Sequence, residues 1–230
     1  MPPSFWVVIP AAGVGSRMRA DRPKQYLPLA GKTIIEHTLD CFLGHPGLQG
    51  LVVSLAAKDP YWSGLCCAND PRIYRADGGA ERSDSVLAGL RHLAELGAGD
   101  NAWVLVHDAA RPNLSRQDLD KLLTELADDP VGGLLAVPAR DTLKRVGIDG
   151  RVSETIDRSV IWQAFTPQMF RLGALRDALA GALEADAAVT DEASALEWAG
   201  HHPKLIEGRA DNLKVTRPED LQWLERRWQS

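Results

Sequence analysis

Apolar residues fall along this chain in two alternating patterns. Phe5-Trp6-Val7-Val8-Ile9, Leu51-Val52-Val53-Ser54-Leu55, Trp103-Val104-Leu105-Val106 and Leu134-Leu135-Ala136-Val137 are short, almost unbroken apolar runs. Such runs belong to strands buried on both faces of a parallel sheet, and Arg72-Ile73-Tyr74-Arg75 is a weaker candidate. Between them the spacing turns helical. Thr33-Ile34-Ile35-Glu36 reads as a capping box, Ile35, Leu39 and Phe42 share one face, and Gly44 is placed to end that helix in a left-handed conformation. Val86, Leu90 and Leu93 repeat the spacing, and Ser115 with Asp118 opens a helix whose buried stripe is Leu119, Leu122, Leu123 and Leu126.

Further on, Thr166-Pro167 predicts a helix start with proline at the first helical position, continued by Met169, Leu172, Leu175, Leu179 and Leu183. A shorter helix is expected from Asp191 to Trp198, ending near Gly200. Leu205-Ile206 and Leu213-Lys214-Val215 read as short strands, and Arg217-Pro218-Glu219 opens a last helix with Leu221, Leu224 and Trp228 on one side. Strand, helix, strand implies right-handed crossovers and an α/β fold, a mostly parallel sheet with helices on both faces. One segment breaks the alternation: Thr142 to Val146 and Arg151 to Ile156 flank Gly147-Ile148-Asp149-Gly150 and read as two strands of a projecting β-arm. Its alternating charged and apolar residues suit either a solvated hairpin or an arm leaning on another surface, such as a second copy of the chain.

Composition narrows the functional classes. The 230 residues suffice for one large domain, and a formal net charge of −5 opposes a broad grip on nucleic acid or anionic lipid. No apolar run approaches a membrane span, and Met1 to Trp6 lacks the basic and apolar regions of a signal peptide, so the expectation is cytoplasmic. Cys41, Cys66 and Cys67 make an odd count without zinc-binding spacing, and no two histidines stand four apart, so no structural zinc is expected and the thiols read as reduced and partly buried.

Candidate chemistry collects in four clusters. Pro10-Ala11-Ala12-Gly13-Val14-Gly15-Ser16-Arg17-Met18 follows the first strand, where a loop lies at the carboxyl edge of the sheet and small residues admit an anion to the backbone N–H groups. It matches neither the Walker loop nor the dinucleotide fingerprint. Arg17, Arg19, Arg22 and Lys24 then place four cations within eight residues of an acidic chain, offset by Asp21. The apolar strand ending in His107-Asp108 aims a carboxylate at the same edge, where it suits Mg²⁺ held jointly with a triphosphate or an ordinary pair with Arg111. Asp77-Gly78-Gly79-Ala80-Glu81-Arg82-Ser83-Asp84-Ser85 opens a helix, and freed backbone groups with Ser85 suit either the edge of a flat base or helix capping. Gly208 to Thr216 brings Asp211 and Lys214 together.

In order and spacing these clusters resemble the 2-C-methyl-D-erythritol 4-phosphate cytidylyltransferases over nearly the whole chain. Pro10 to Met18, Pro23-Lys24-Gln25-Tyr26, Asp84-Ser85-Val86, Val106 to Pro112, Thr190-Asp191-Glu192-Ala193-Ser194 and Asp211 to Asp220 carry the likeness. The resemblance implies a Rossmann-like nucleotidyltransferase domain over residues 1–230, with a β-arm at 139–158 exchanged in a homodimer. It implies transfer of CMP from CTP to 2-C-methyl-D-erythritol 4-phosphate with loss of pyrophosphate, with Mg²⁺ or another divalent cation as cofactor. By the same resemblance Arg17, Lys24 and Lys214 are catalytic, and Ala11, Ala12, Gly13, Gly15, Gly79, Ser85 and Asp108 bind the nucleotide. Thr142, Arg158, Thr166, Thr190 and Asp211 bind the acceptor, Thr142 and Arg158 across the dimer, and Asp108 and Asp211 serve the metal or the ribose. Ala80 stands where some members carry an acid, so no base contact is assigned to it. A phosphate monoester has a second pKa of about 6, so the attacking group is already ionised at neutral pH and needs no general base. Two readings stay open beside this one: another acceptor such as ribitol 5-phosphate, and a module that holds CTP without turning it over.

Overall fold

The structure, a computed structural model, describes residues 2–13, 18 and 20–229. Strand β1 (Phe5–Pro10) leads through the glycine loop to a 3₁₀ turn at Lys24–Tyr26, and a minimal ladder of β2 (Pro28–Leu29) and β3 (Lys32–Thr33) introduces α1 (Ile34–Leu43). There follow β4 (Leu48–Leu55), β5 (Ile73–Asp77), α2 (Arg82–Glu95), β6 (Trp103–Val106), α3 (Arg116–Glu125) and β7 (Gly132–Pro138). The hairpin of β8 (Leu143–Val146) and β9 (Val152–Ile156) precedes β10 (Trp162–Arg171), α4 (Leu172–Glu184), α5 (Glu192–Trp198), β11 (Lys204–Glu207) and α6 (Pro218–Gln229).

The described residues form a seven-stranded sheet in the order β11-β7-β10-β6-β1-β4-β5. Its pairs are parallel except those of β10, which runs antiparallel to both β6 and β7. The expected mostly parallel α/β sheet is therefore present, and its unbroken apolar strands supply two cores at once. Val7, Ile9, Leu51, Val53 and Leu105 face α1 and α3 through Leu39, Phe42, Leu119 and Leu122. Val8, Val52, Val104 and Val106 face α2 and α4 through Val86, Leu90, Leu175 and Leu179. A small third cluster, with Leu29, Ile34, Val215 and Leu224, packs α6 against the segment carrying Lys214. No helix among the described residues is long and apolar enough to cross a membrane.

Local signals are honoured at most helix ends. Thr33 and Glu36 form the reciprocal capping box. Ser115 Oγ accepts from the Asp118 N–H, but the Asp118 carboxylate turns away to accept from the Arg209 N–H at 3.0 Å, fastening the late loop to α3. Gly44 is right-handed (φ −81°), contrary to the expected left-handed cap, because the chain leaves through a tight turn in which His45 N–H donates to the Phe42 carbonyl. Cys66 is exposed rather than partly buried.

Two expected elements are corrected. Residues from Pro167 to Arg171 are strand, not helix, and α4 begins at Leu172. Met169 enters one core and Phe170 the other, a period of two, while Pro167 falls where the β10–β7 ladder is interrupted between Ala164 and Gln168, so its missing N–H breaks no bond. Leu213-Lys214-Val215 is not a strand either. It lies off the sheet, and Val215 N–H donates to the Ala110 carbonyl at 2.8 Å.

The β8–β9 hairpin pairs as expected, with Gly150 at φ +77°, and stands outside the central sheet with Val146, Ile148 and Val152 exposed. Close strand contact depends on Gly132. It has φ +105°, and a Cβ there would sit 2.2 Å from the Met169 carbonyl oxygen. Gly132→Ala is therefore expected to cost at least the ~1–3 kcal/mol typical of overpacking, read as a lowered midpoint in urea unfolding; an unchanged midpoint would show that β7 and β10 are not this tightly apposed.

Candidate active site

Strands β1 and β6 end side by side at one edge of the sheet. Ala11 N–H donates to the Ser54 carbonyl and His107 N–H to the Val8 carbonyl, so both chains stay in register until they leave the sheet. A crevice of about 310 Å³ opens there. Ala11, Ala12 and Gly13 line one wall, Gly79, Arg82 and Ser85 another, and Lys24, Asp108 and Lys214 the floor and rim. Residues from all four sequence clusters thus meet in one cavity, although Lys24 and Lys214 are 190 positions apart. Gly15 and Arg17 lie outside the described residues.

The glycines are there for close approach. A Cβ on Gly78 would lie 2.5 Å from the Ala12 Cβ, and one on Gly79 would lie 2.2 Å from the Asp84 Cβ, so the two turns can touch without side chains at these positions. Ser85 Oγ accepts from the Gly79 N–H and donates to the Glu81 carbonyl, both at 3.1 Å, while Glu81 and Asp84 cap α2 reciprocally. Ser85 is buried and fastens the turn from beneath as well as lining the crevice. On the opposite wall Gln25, also buried, donates from Nε2 to the carbonyls of Ala11 (2.7 Å) and Gly13 (3.1 Å). Sequence reading gave Gln25 no role, since one amide bridging two turns leaves no periodic or charge signal.

Asp108 is the electrostatic centre. Its Oδ1 accepts from Arg82 Nε at 3.1 Å, and its Oδ2 from Arg111 Nε at 3.0 Å with Lys214 Nζ 3.1 Å away. Burial alone would raise this carboxyl, but the Arg82, Lys214 and Arg111 cations together outweigh it and hold Asp108 well below the usual carboxylate range. Arg82 also grips Glu192, itself 2% exposed, through two bonds of 2.6 and 3.1 Å. The expected Asp108–Arg111 pair exists, then, within a larger cluster. Lys24 Nζ donates to the Val215 carbonyl at 2.8 Å, which brings the two lysines to the same segment. That segment is anchored by Arg111 donating to the Asn212 carbonyl (2.7 Å) and Asn212 donating to the Thr166 carbonyl (2.8 Å).

His107 is buried and serves the scaffold. Nε2–H donates to the Arg111 carbonyl, leaving Nδ1 to accept from the Thr166 hydroxyl, and burial pushes the imidazole down to about 4. Thr166 Oγ1 accepts in turn from the Asp108 N–H at 3.1 Å. Thr166, an expected acceptor residue, is 4% exposed, and its hydroxyl bonds His107 and the Asp108 N–H beneath the crevice. Thr190 borders a separate cavity of about 160 Å³ that shares Glu81 and Arg82 with the crevice. Thr142 and Arg158 are exposed near the β-arm, where Arg158 donates to the Arg140 carbonyl. Asp211 pairs with Arg209 and with Arg227 (2.7 Å) and is not among the residues lining the crevice.

No group of three or more His, Cys, Asp or Glu side chains able to hold a metal occurs among the described residues. The described residues thus offer no cage. One carboxylate at the rim fits a hard divalent ion only if a polyphosphate supplies most of its other oxygens.

An open α/β sheet with a glycine loop, two lysines and a buried acid at its carboxyl edge defines a protein of the nucleotidyltransferase class. The family model for IspD, 2-C-methyl-D-erythritol 4-phosphate cytidylyltransferase, matches residues 5–227, and the chain belongs to that family. It is 75% identical over 226 residues to the 2-C-methyl-D-erythritol 4-phosphate cytidylyltransferase of Pseudomonas fluorescens SBW25, covering 98% of this chain and 96% of that one. The protein of that name from Pseudomonas putida KT2440 is 72% identical over the same shares. Among solved structures, the Francisella tularensis 2-C-methyl-D-erythritol 4-phosphate cytidylyltransferase superposes with a TM-score of 0.84 at 37% identity, over 99% of this chain and 100% of that one. Its counterpart from Thermus thermophilus gives 0.80 at 29% identity, over the same shares.

Gln25→Glu keeps the shape of the side chain but replaces a donor with an anion facing two carbonyls. It is expected to weaken CTP binding by at least about tenfold, measured by calorimetric titration; unchanged affinity would mean that Gln25 does not hold the loop in its binding geometry.

Proposed function

We infer that the crevice between β1, α2 and β6 is where this chain transfers CMP from CTP to the phosphate of 2-C-methyl-D-erythritol 4-phosphate. The products are pyrophosphate and 4-diphosphocytidyl-2-C-methyl-D-erythritol, in non-mevalonate isoprenoid biosynthesis. One observation carries the placement: Lys24, Lys214 and Asp108 converge on a cavity whose other walls are two glycine turns. The turn at Gly79 and Ser85 suits the edge of cytosine, and the backbone of Ala11 to Gly13, with Gly15 and Arg17 beyond it, suits the triphosphate.

In the reaction an acceptor phosphate oxygen bonds to the α-phosphorus while the bond from that phosphorus to the α–β bridging oxygen breaks, and its electron pair leaves on pyrophosphate. The nucleophile arrives ionised, so no base is needed, in keeping with a buried, neutral His107 beside Asp108. What opposes reaction is the approach of two anions. Arg17, Lys24 and Lys214 offset that repulsion and stabilise charge spreading onto the leaving group. A divalent cation, for which Mg²⁺ is our choice, would be held by Asp108 with the phosphate oxygens and would supply further charge neutralisation there. Asp211, away from the crevice and already paired with two arginines, fits an acceptor-side role better than a metal-side one.

Thr166, Thr190 and Asp211 would complete the acceptor side, with Thr142 and Arg158 offered by the arm of a second copy. Exposed Val146, Ile148 and Val152 on the β8–β9 hairpin support such a homodimer, since they gain an apolar surface to cover. We take residues 1–230 as one nucleotidyltransferase domain with the arm at 139–158, acting in the cytoplasm without nucleic acid or membrane partners.

Pyrophosphate release from CTP and 2-C-methyl-D-erythritol 4-phosphate, lost on chelation, tests the assignment, and a strong preference for ribitol 5-phosphate would overturn the acceptor. Lys24→Ala and Lys214→Ala are each expected to lower kcat by roughly two to three powers of ten; undiminished turnover in folded Lys24→Ala would remove it from the mechanism. Deleting residues 143–155 is expected to give monomers with a raised KM for the acceptor, and a retained dimer mass in light scattering would refute the exchanged arm.

A further inference from the structure

Arg82 takes no part in the proposed chemistry, yet it touches both sides of the site. It opens α2, where a cation opposes the positive end of the helix dipole, so its position is unfavourable unless anions offset it. Two buried carboxylates do so: Asp108 through Arg82 Nε and Glu192 through both terminal nitrogens. Its side chain is 30% exposed and borders both the crevice and the smaller cavity containing Thr190.

The charges of this cluster can be counted. Arg82, Arg111 and Lys214 stand against Asp108 and Glu192, and Arg82 is the cation among them that serves both carboxylates, holding Asp108 at Oδ1. Without Arg82, Asp108 would keep Arg111 and Lys214 as partners at Oδ2, while Oδ1 would lose its Arg82 donor. Lys214 would then be drawn more strongly to a buried carboxylate and less to an incoming phosphate.

We propose that Arg82 is a positioning residue that, braced by Glu192, holds Asp108 through Oδ1 and so keeps Lys214 available to the triphosphate. This rests on the placement of the reaction in the crevice and goes beyond it by assigning what controls Lys214. Arginine is required because one planar group must serve two carboxylates at once, which the point charge of lysine cannot do.

Three variants test it: Arg82→Met, Arg82→Met with Glu192→Leu, and Arg82→Lys, each measured for urea stability, kcat, and affinity for CTP and for CMP. Arg82→Met strands the Glu192 charge and is expected to lose stability, and the double variant to regain it because that carboxylate is gone. Turnover and CTP affinity are expected to stay down in the double variant, kcat on the order of ten- to a hundredfold, with CMP affinity retained because it lacks the β- and γ-phosphates. Arg82→Lys is expected to fold and to remain impaired in the same way. Recovery of kcat and CTP affinity to nearly the unaltered level in the double variant or in Arg82→Lys would overturn the proposal and leave Arg82 as a counter-charge for Glu192. Lys214→Ala run alongside separates the two failures, since its undiminished turnover would overturn the crevice assignment itself.

Discussion

A single buried charge organises this site. Asp108 leaves the end of β6 almost out of water, and an ionised carboxylate in such a place is expensive unless paired and hydrogen-bonded. The chain meets that cost with cations from three places: Arg111 in the turn after β6, Arg82 at the start of α2, and Lys214 from the late segment beside α6. Each must be carried to the sheet edge by its own element. The glycine turn before α2, the Asn212 anchor and the Glu192 brace on α5 are consequences of that requirement.

What makes the arrangement useful is that the scaffold beneath it is rigid. Side chains of β1, β4 and β6 alternate between two packed cores, so the strand ends cannot slide without moving both. Gln25 and Ser85 then lock the two glycine turns from below, and Thr166 and His107 lock the Asp108 backbone. Donors aimed in advance at developing charge stabilise it with little reorganisation when it appears. A loop-built site with this many backbone groups would be too loose without those internal bonds.

Much of this was legible in the sequence, for reasons that are local. Apolar runs gave β1, β4, β6 and β7, the 3.6-residue spacing gave α1, α2 and α3, and Thr33 with Glu36 marked a helix start. The edge location of Lys24, Asp108 and the glycine loop followed from their place after strands. Illegible features are those set by distant partners. Strand β10 hid because Met169, Leu172 and Leu175 keep helical spacing across a strand–helix junction, and the strand character of Pro167 depends on where the β7 ladder breaks. The grip of Arg82 on Glu192 spans 110 positions and leaves no local pattern, and nothing near Thr166 announced that its hydroxyl would be spent on His107. Gly44 misled because a tight turn ends a helix as well as a left-handed cap does.

On the proposed reading, the two halves of the reaction differ in where their parts come from. Described nucleotide-side groups, from Ala11 to Lys214, meet in a single crevice of one chain and are held there by its own hydrogen bonds. Thr142 and Arg158, assigned to the acceptor, sit out on the arm, beside apolar side chains that face solvent. On the proposed reading, affinity for CTP is a property of the folded chain, whereas affinity for the acceptor is a property of the assembly. Dilution would then act on one substrate and spare the other, because a residue supplied by a second copy is lost when that copy leaves.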